Sequence, residues 1–342
     1  MQGFGKVPAS ETGHQASAWR WIGLLVVIAL GLALFTVYDQ VVHRKGVEYL
    51  WDTQLRFHRW IMEGVSPAPW QYRVLTAYLM EGVIRWFQAL GHPSPHAIVF
   101  VAFRVLENTA IFALCGLYWE KLRIRRVAIL IGLMCLAWGM TYAGYRSHLA
   151  FDTYLDVAFY LLAALIILDH KDVWLIPLIA VAALNRETSA LIPFLLLAAR
   201  VGSGLKSTLQ RQTAVLFIAG VLLFGFVFLG LRAAYGPREL MAPYEHHLGA
   251  DLLMYNLANP YTYYSLFATF GFISLLSLAR WRQWPTVLQR WFWVLVPLWA
   301  VVHAIASVVA EARLFLVPYV LVVLPSALLA LGEDSAGQGG RA

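Results

Sequence analysis

Asn185-Arg186-Glu187-Thr188 sets an amide, a base, an acid and a hydroxyl inside the stretch Val173 to Ala199, which is otherwise almost wholly apolar. Charges in such surroundings cost several kcal/mol unless they pair, face a wet cavity or sit where the chain turns. Two readings follow. Arg186 and Glu187 pair with each other and staple a hairpin, or Asn185 and Arg186 meet a phosphate or another polar group. Glu311-Ala312-Arg313 is a second acid/base couple between apolar runs. Arg73, in Gln71-Tyr72-Arg73 just after Ser66-Pro67-Ala68-Pro69, either snorkels to an interface or grips a phosphate with its bidentate fork. Upstream, Glu48, Asp52, Arg56, Arg59 and Glu63 recur at spacings of three and four and so share one stripe of a helix. That stripe is either a solvated face or the setting of a general base, Asp52, held beside arginines. The chemistry these residues fit is proton transfer next to a bound anion.

Other chemistries find little footing. His246 and His247 are adjacent, and adjacent side chains point apart, which makes a poor chelate; a substrate contact by His246 or a plain exposed loop fits better than a metal. No P-loop, dinucleotide-binding glycine pattern, nucleophile elbow or zinc-helix motif occurs. Cys115 and Cys135 both fall within apolar runs, away from any disulfide or metal pattern. No cofactor is indicated, and nothing calls for a divalent cation. The net charge of +7 needs no nucleic acid, because basic loops of a membrane protein produce it.

The elements that must position these residues are membrane helices. Sixty per cent of the residues are hydrophobic and 13% charged, against roughly a quarter charged in soluble domains. Long apolar runs recur from residue 21 to residue 332, between an N-terminal tail (1–20) and a C-terminal tail (333–342), both expected in the cytoplasm. The runs 21–38, 97–118, 127–143, 153–168, 173–184, 190–199, 213–231, 261–279, 292–308 and 313–332 predict an all-α bundle of about ten spans in an inner membrane. Segments 119–126, 200–212 and 280–291 carry ten Lys/Arg against one acid, Glu120, which puts all three in the cytoplasm. Keeping them on one side forces two choices. Residues 71–90 become an interfacial or re-entrant helix within a long external segment, 39–96, and 173–199 becomes two half-spans turning at Asn185–Ser189. Pro177 and Pro193 help to shorten those halves. Asp39, Asp52, Arg73, Arg146, Asp152, Arg186, Glu187, His246, Glu311 and Arg313 then share the external face, with 232–260 as a second external segment.

The run from Asp52 through Arg56-Phe57-His58-Arg59 to Glu63-Gly64, the Pro-rich turn and Tyr72-Arg73-Val74-Leu75 resembles the first external loop of GT-C membrane glycosyltransferases, especially their polyprenyl-phosphate-mannose-using bacterial branch. Asn185-Arg186-Glu187-Thr188 before Pro193, and Glu311-Ala312-Arg313 before Pro318, are similar to later charged elements of such proteins. The resemblance implies transfer of a mannose-like sugar from a polyprenyl-phosphate donor to a lipid or glycan acceptor, on the periplasmic side of the bilayer. It implies Asp52 as the base toward the acceptor hydroxyl, with Asp39 as its rival because it directly follows the first span. Arg73, Tyr72, Asn185, Arg186, Glu187, Glu311, Arg313 and His246 are the implied substrate contacts. The chain departs from many members in lacking a soluble C-terminal domain. Two other classes fit the same residues: a transporter or flippase, which would place broken helices at a cavity, and a non-catalytic scaffold of envelope biosynthesis.

Overall fold

The computed structural model describes residues 9–143, 148–200 and 207–332. Arg146, Lys206 and the tail 333–342 lie outside the described residues. The described chain is helical, with no strand; one isolated bridge joins Ala68 to Leu240.

Among the described residues seven helices are long and apolar enough to cross a membrane. They are α1 (Trp19–Lys45), α4 (His96–Lys121), α5 (Arg126–Ala143), α6 (Phe151–Leu168), α9 (Gln210–Tyr235), α13 (Thr286–Ala306) and α14 (Ala312–Leu331). An eighth apolar unit is α11 (Pro260–Phe270) with α12 (Ile273–Ala279), bent by 78° at their junction. Gly271, at φ +56°, makes that break, where a side chain would be strained. The shorter helices are α2 (Leu55–Met62), α3 (Val74–Ala89), α7 (Leu175–Ala183), α8 (Ile192–Arg200) and α10 (Ala250–Ala258). The expectation of about ten spans therefore resolves into seven, or eight with the bent pair. The two segments of 173–199 are too short to count.

Helical spacing explains the packing. Trp21, Leu25, Ala29, Ala33 and Val37 recur every four residues along one face of α1 and are all buried. That face meets α4 so closely that a Cβ at Gly116 would sit 2.5 Å from Leu25. By contrast α9 exposes Val215, Ile218, Leu222, Phe226 and Leu229, an apolar outer surface suited to lipid.

The hairpin reading of 173–199 holds in outline. At its start and end, Arg200 donates to both Asp172 carboxylate oxygens (3.0 and 2.7 Å) and to the Ile167 carbonyl, at the C-terminal end of α6. At its tip, Asn185 and Arg186 bond to Asp152 and Thr153, at the N-terminal end of α6. The chain thus runs the length of α6 and returns. Pro177 and Pro193 fall in the first turns of α7 and α8, where a missing N–H costs nothing, so they start these helices rather than cut them short.

Helix α3 begins at the α6 N-terminal end, with Arg73 against Asp152, and α4 restarts at that same end, where Phe100 and Phe103 meet Phe151. Helix α3, absent from the span-length apolar helices, thus starts at the end of α6 to which the chain returns for α4. The basic connectors gather at the opposite end. Lys121 pairs with Asp169, Arg280 donates to the Ala330 carbonyl, and Arg290 reaches the carbonyls of Ala198 and Ala199.

Candidate functional site

The two residues that open α6, Asp152 and Thr153, are the hub of a polar cluster within the apolar bundle. Arg73 donates to Asp152 at 2.9 Å and to Glu187 at 3.0 Å, tying the start of α3 to α6 and to the hairpin tip. Burial alone would lower the Arg73 pKa, but Glu187 and Asp152 outweigh it and hold the guanidinium charged. The Asn185 amide donates to the Asp152 carbonyl at 2.7 Å. Arg186 donates to the Thr153 hydroxyl at 2.8 Å, and Arg313 donates to the same oxygen at 3.1 Å. Arg313 is also bound to Glu311 at 2.5 Å. Deeper in, Thr188 donates to Asp156 at 2.6 Å.

Arg186 and Arg313 differ from Arg73 in what they lack. Both are buried, 4% and 5% exposed, and each has an Nε with no partner. Among the described residues Arg186 has no carboxylate within ion-pairing distance. Both, with Arg73, line a cavity of about 490 Å³. Aromatic rings of Tyr49, Phe57, Trp60 and Trp70 line the same space, along with His148 and Glu311. His148 is stacked on Phe57 at 4.0 Å, and burial, with Arg313 next, holds its pKa well below the ordinary range, so the ring is neutral. The loop after α9 closes part of the rim. Met241 and Pro243 face the cavity, Met241 bonds to the Ala68 carbonyl, and the Tyr72 hydroxyl donates to the Gly236 carbonyl at 2.9 Å.

Of the residues singled out by sequence, Arg73, Asn185, Arg186, Glu187, Glu311 and Arg313 are thus brought into one cluster. The internal Arg186–Glu187 pair is not formed, because Glu187 turns to Arg73 while Arg186 reaches Thr153. Tyr72 lies at the edge, its ring beneath Arg232 at 4.4 Å. His246 is drawn to Asp251 and Tyr255 and does not line the cavity. Asp39 is paired with Arg44 at 2.7 Å, and that arginine lies over Tyr142. Asp52 is 75% exposed, 3.7 Å from Arg56, and outside the cavity lining. Arg73, expected beside it, is engaged by Asp152 and Glu187 instead. The whole stripe Glu48, Asp52, Arg56, Arg59, Glu63 is exposed, while Phe57 and Trp60 of the same segment face the cavity.

Sequence reasoning missed Thr153, His148 and the aromatic wall. The spacing of Asp152-Thr153 and Asp156 at the head of an apolar run was a usable signal, of the same kind as Asn185-Arg186. Also missed was the buried Arg104–Glu107 pair (3.1 Å) in α4, whose guanidinium covers the Tyr154 ring at 3.8 Å. No group of His, Cys, Asp and Glu among the described residues could hold a metal ion.

No family model, no curated protein and no solved structure matches the chain.

Proposed function

We propose that the cavity receives the phosphate of a lipid-linked sugar and that the protein is a GT-C-like membrane glycosyltransferase acting on the face opposite its basic connectors. The observation that carries this reading is the pair Arg186 and Arg313, buried guanidiniums at the cavity wall with unused N–H groups. A buried cation with a spare donor is stabilised by an anion that brings its own acceptors, and arginine suits phosphate above other anions. The aromatic rings around the same space give a sugar ring flat apolar surfaces to lie on. A donor carried on a polyprenyl chain arrives by diffusion within the bilayer, so the missing nucleotide motifs are no obstacle. In transfer, the cations stabilise the negative charge that builds on the departing phosphate. The basic connectors at the other end support a cytoplasmic side there, by the positive-inside rule, and with it a periplasmic cavity face.

The deciding experiment presents purified protein in proteoliposomes with a panel of radiolabelled polyprenyl-phosphate sugars. Transfer to a glycan or lipid acceptor is expected, and Arg186→Gln should weaken donor binding at least tenfold. The re-entrant hairpin and the bent α11–α12 pair also suit a flippase. Movement of the intact donor across the bilayer with no sugar transferred would decide for that reading.

A further inference from the structure

We infer that Glu311 is the base that takes the proton of the acceptor hydroxyl. The inference rests on the glycosyltransferase reading above and assigns a role within that same cavity. Glu311 is the one carboxylate among the described residues lining it. Asp152 holds Arg73 and is almost fully buried, and Glu187, with one oxygen on Arg73 and 27% exposure, is not among the cavity-lining residues. Glu311 is likewise anchored through one oxygen, but it faces the cavity. One oxygen, Oε2, is fixed by Arg313, while the side chain keeps 25% exposure. One oxygen is therefore anchored and the other is left to meet an incoming group. The anchor matters for geometry as well as charge. A general base must be within hydrogen-bond reach of the proton it removes, and Arg313 locks the carboxylate beside the cation that faces the phosphate.

The step balances as follows. The acceptor hydroxyl oxygen bonds to the anomeric carbon of the sugar while the bond from that carbon to the phosphate oxygen breaks. The electron pair of the broken bond goes to the phosphate, leaving a polyprenyl phosphate whose new charge faces Arg186 and Arg313. The hydroxyl proton moves to the free oxygen of Glu311.

The test compares wild type, Glu311→Gln, Glu311→Asp and Asp52→Asn in proteoliposomes, with labelled polyprenyl-phosphate mannose and a panel of alkyl glycosides as acceptors. Binding of polyprenyl phosphate is followed separately with the radiolabelled lipid phosphate. Glu311→Gln keeps the size of the side chain and an oxygen for Arg313 but cannot accept the proton. Transfer should fall at least a hundredfold while the polyprenyl-phosphate Kd changes less than threefold. Glu311→Asp should recover part of the rate, and the acid limb of the wild-type pH–rate profile should vanish in Glu311→Gln. Full transfer by Glu311→Gln overturns the assignment, as does a comparable loss in Asp52→Asn with Glu311→Gln active. Wild-type protein that binds polyprenyl phosphate but transfers nothing removes the transferase reading itself, and the inference with it.

Discussion

Arg186 and Arg313, from segments more than a hundred residues apart, converge on one acceptor, the Thr153 hydroxyl, at 2.8 and 3.1 Å. Two like charges, that of Arg313 offset by Glu311, share that neutral oxygen. Removing it leaves both donors short of a partner inside the protein. Thr153→Val should lower stability by about 1–3 kcal/mol, the usual cost of an orphaned buried polar group, while Thr153→Ser should restore most of it. Thermal unfolding in detergent checks this. A Thr153→Val protein as stable as wild type would show that the guanidiniums find another acceptor.

Arg73 joins three elements through two carboxylates, so its loss strands both Asp152 and Glu187. Breaking a buried pair from one side costs about 3–5 kcal/mol. Arg73→Gln should therefore be poorly folded. Arg73→Lys should fold but lose part of the link, because a point charge cannot serve two carboxylates as a fork does. The measurement is the fraction of monodisperse protein recovered after extraction, followed by its melting midpoint.

Acidification should weaken the fold through two buried histidines outside the spans. Burial holds the pKa of His148 and of His58 below the ordinary 6.5, against the opposing pull of Glu81 in the second case. The unfolded chain then binds more protons than the folded one below that pH. Stability contributed by the neutral rings is intact above pH 6.5 and is lost as the pH falls toward the depressed values. Melting midpoints should be flat from pH 8 to about 7 and decline from about 6.5 to 5. His148→Phe, which keeps a ring on Phe57, should flatten part of that decline.

Gly139 of α5 faces α11 so closely that a Cβ would lie 2.8 Å from the backbone oxygen of Thr269. Backbone cannot swing aside as a side-chain tip can, so Gly139→Ala should cost about 1–3 kcal/mol. Gly225 of α9 has open space around its Cβ position, and Gly225→Ala should be neutral or slightly stabilising. The pair of midpoints, measured side by side, separates contact from propensity.

Sidedness is checked with single cysteines in a background lacking Cys115 and Cys135. Lys171 lies exposed among the basic connectors and Glu63 lies exposed at the cavity end. An impermeant maleimide should label Glu63→Cys in intact cells and Lys171→Cys only after lysis. Labelling of both from one side would contradict the two-ended arrangement.

Much of this fold is legible in the sequence because its signals are local. Basic connectors, apolar runs and the polar break at Asn185–Ser189 each announce an element or its end. The cavity was only half legible. Arg186, Glu187 and Arg313 stand out because charge is rare among apolar residues. Their partners do not, since Glu187 pairing with Arg73 rather than with its neighbour depends on where α3 begins in space. Thr153 and His148 are unremarkable as letters and acquire their roles from the helices that surround them. Asp52 shows the opposite case: a position that looks chosen in a motif lies on an exposed face, because the turn of that helix carries Phe57 toward the cavity instead.

The unequal lengths of α4 and α6 have an electrostatic consequence. Their ends are level where Lys121 meets Asp169, but Phe103 of α4 already stands beside Phe151, the first residue of α6. The part of α4 from His96 to Phe103 therefore rises above the opening of α6 by about 10 Å, at 1.5 Å per residue. Thr153 and its two arginines, only 2%, 4% and 5% exposed, lie just inside the opening of α6, and charges buried to that degree are screened far less than surface ones. Mobile ions screen such a site poorly. Anion binding there should hold nearly constant between low salt and half-molar salt, whereas binding to an open basic surface would fall steeply over the same range.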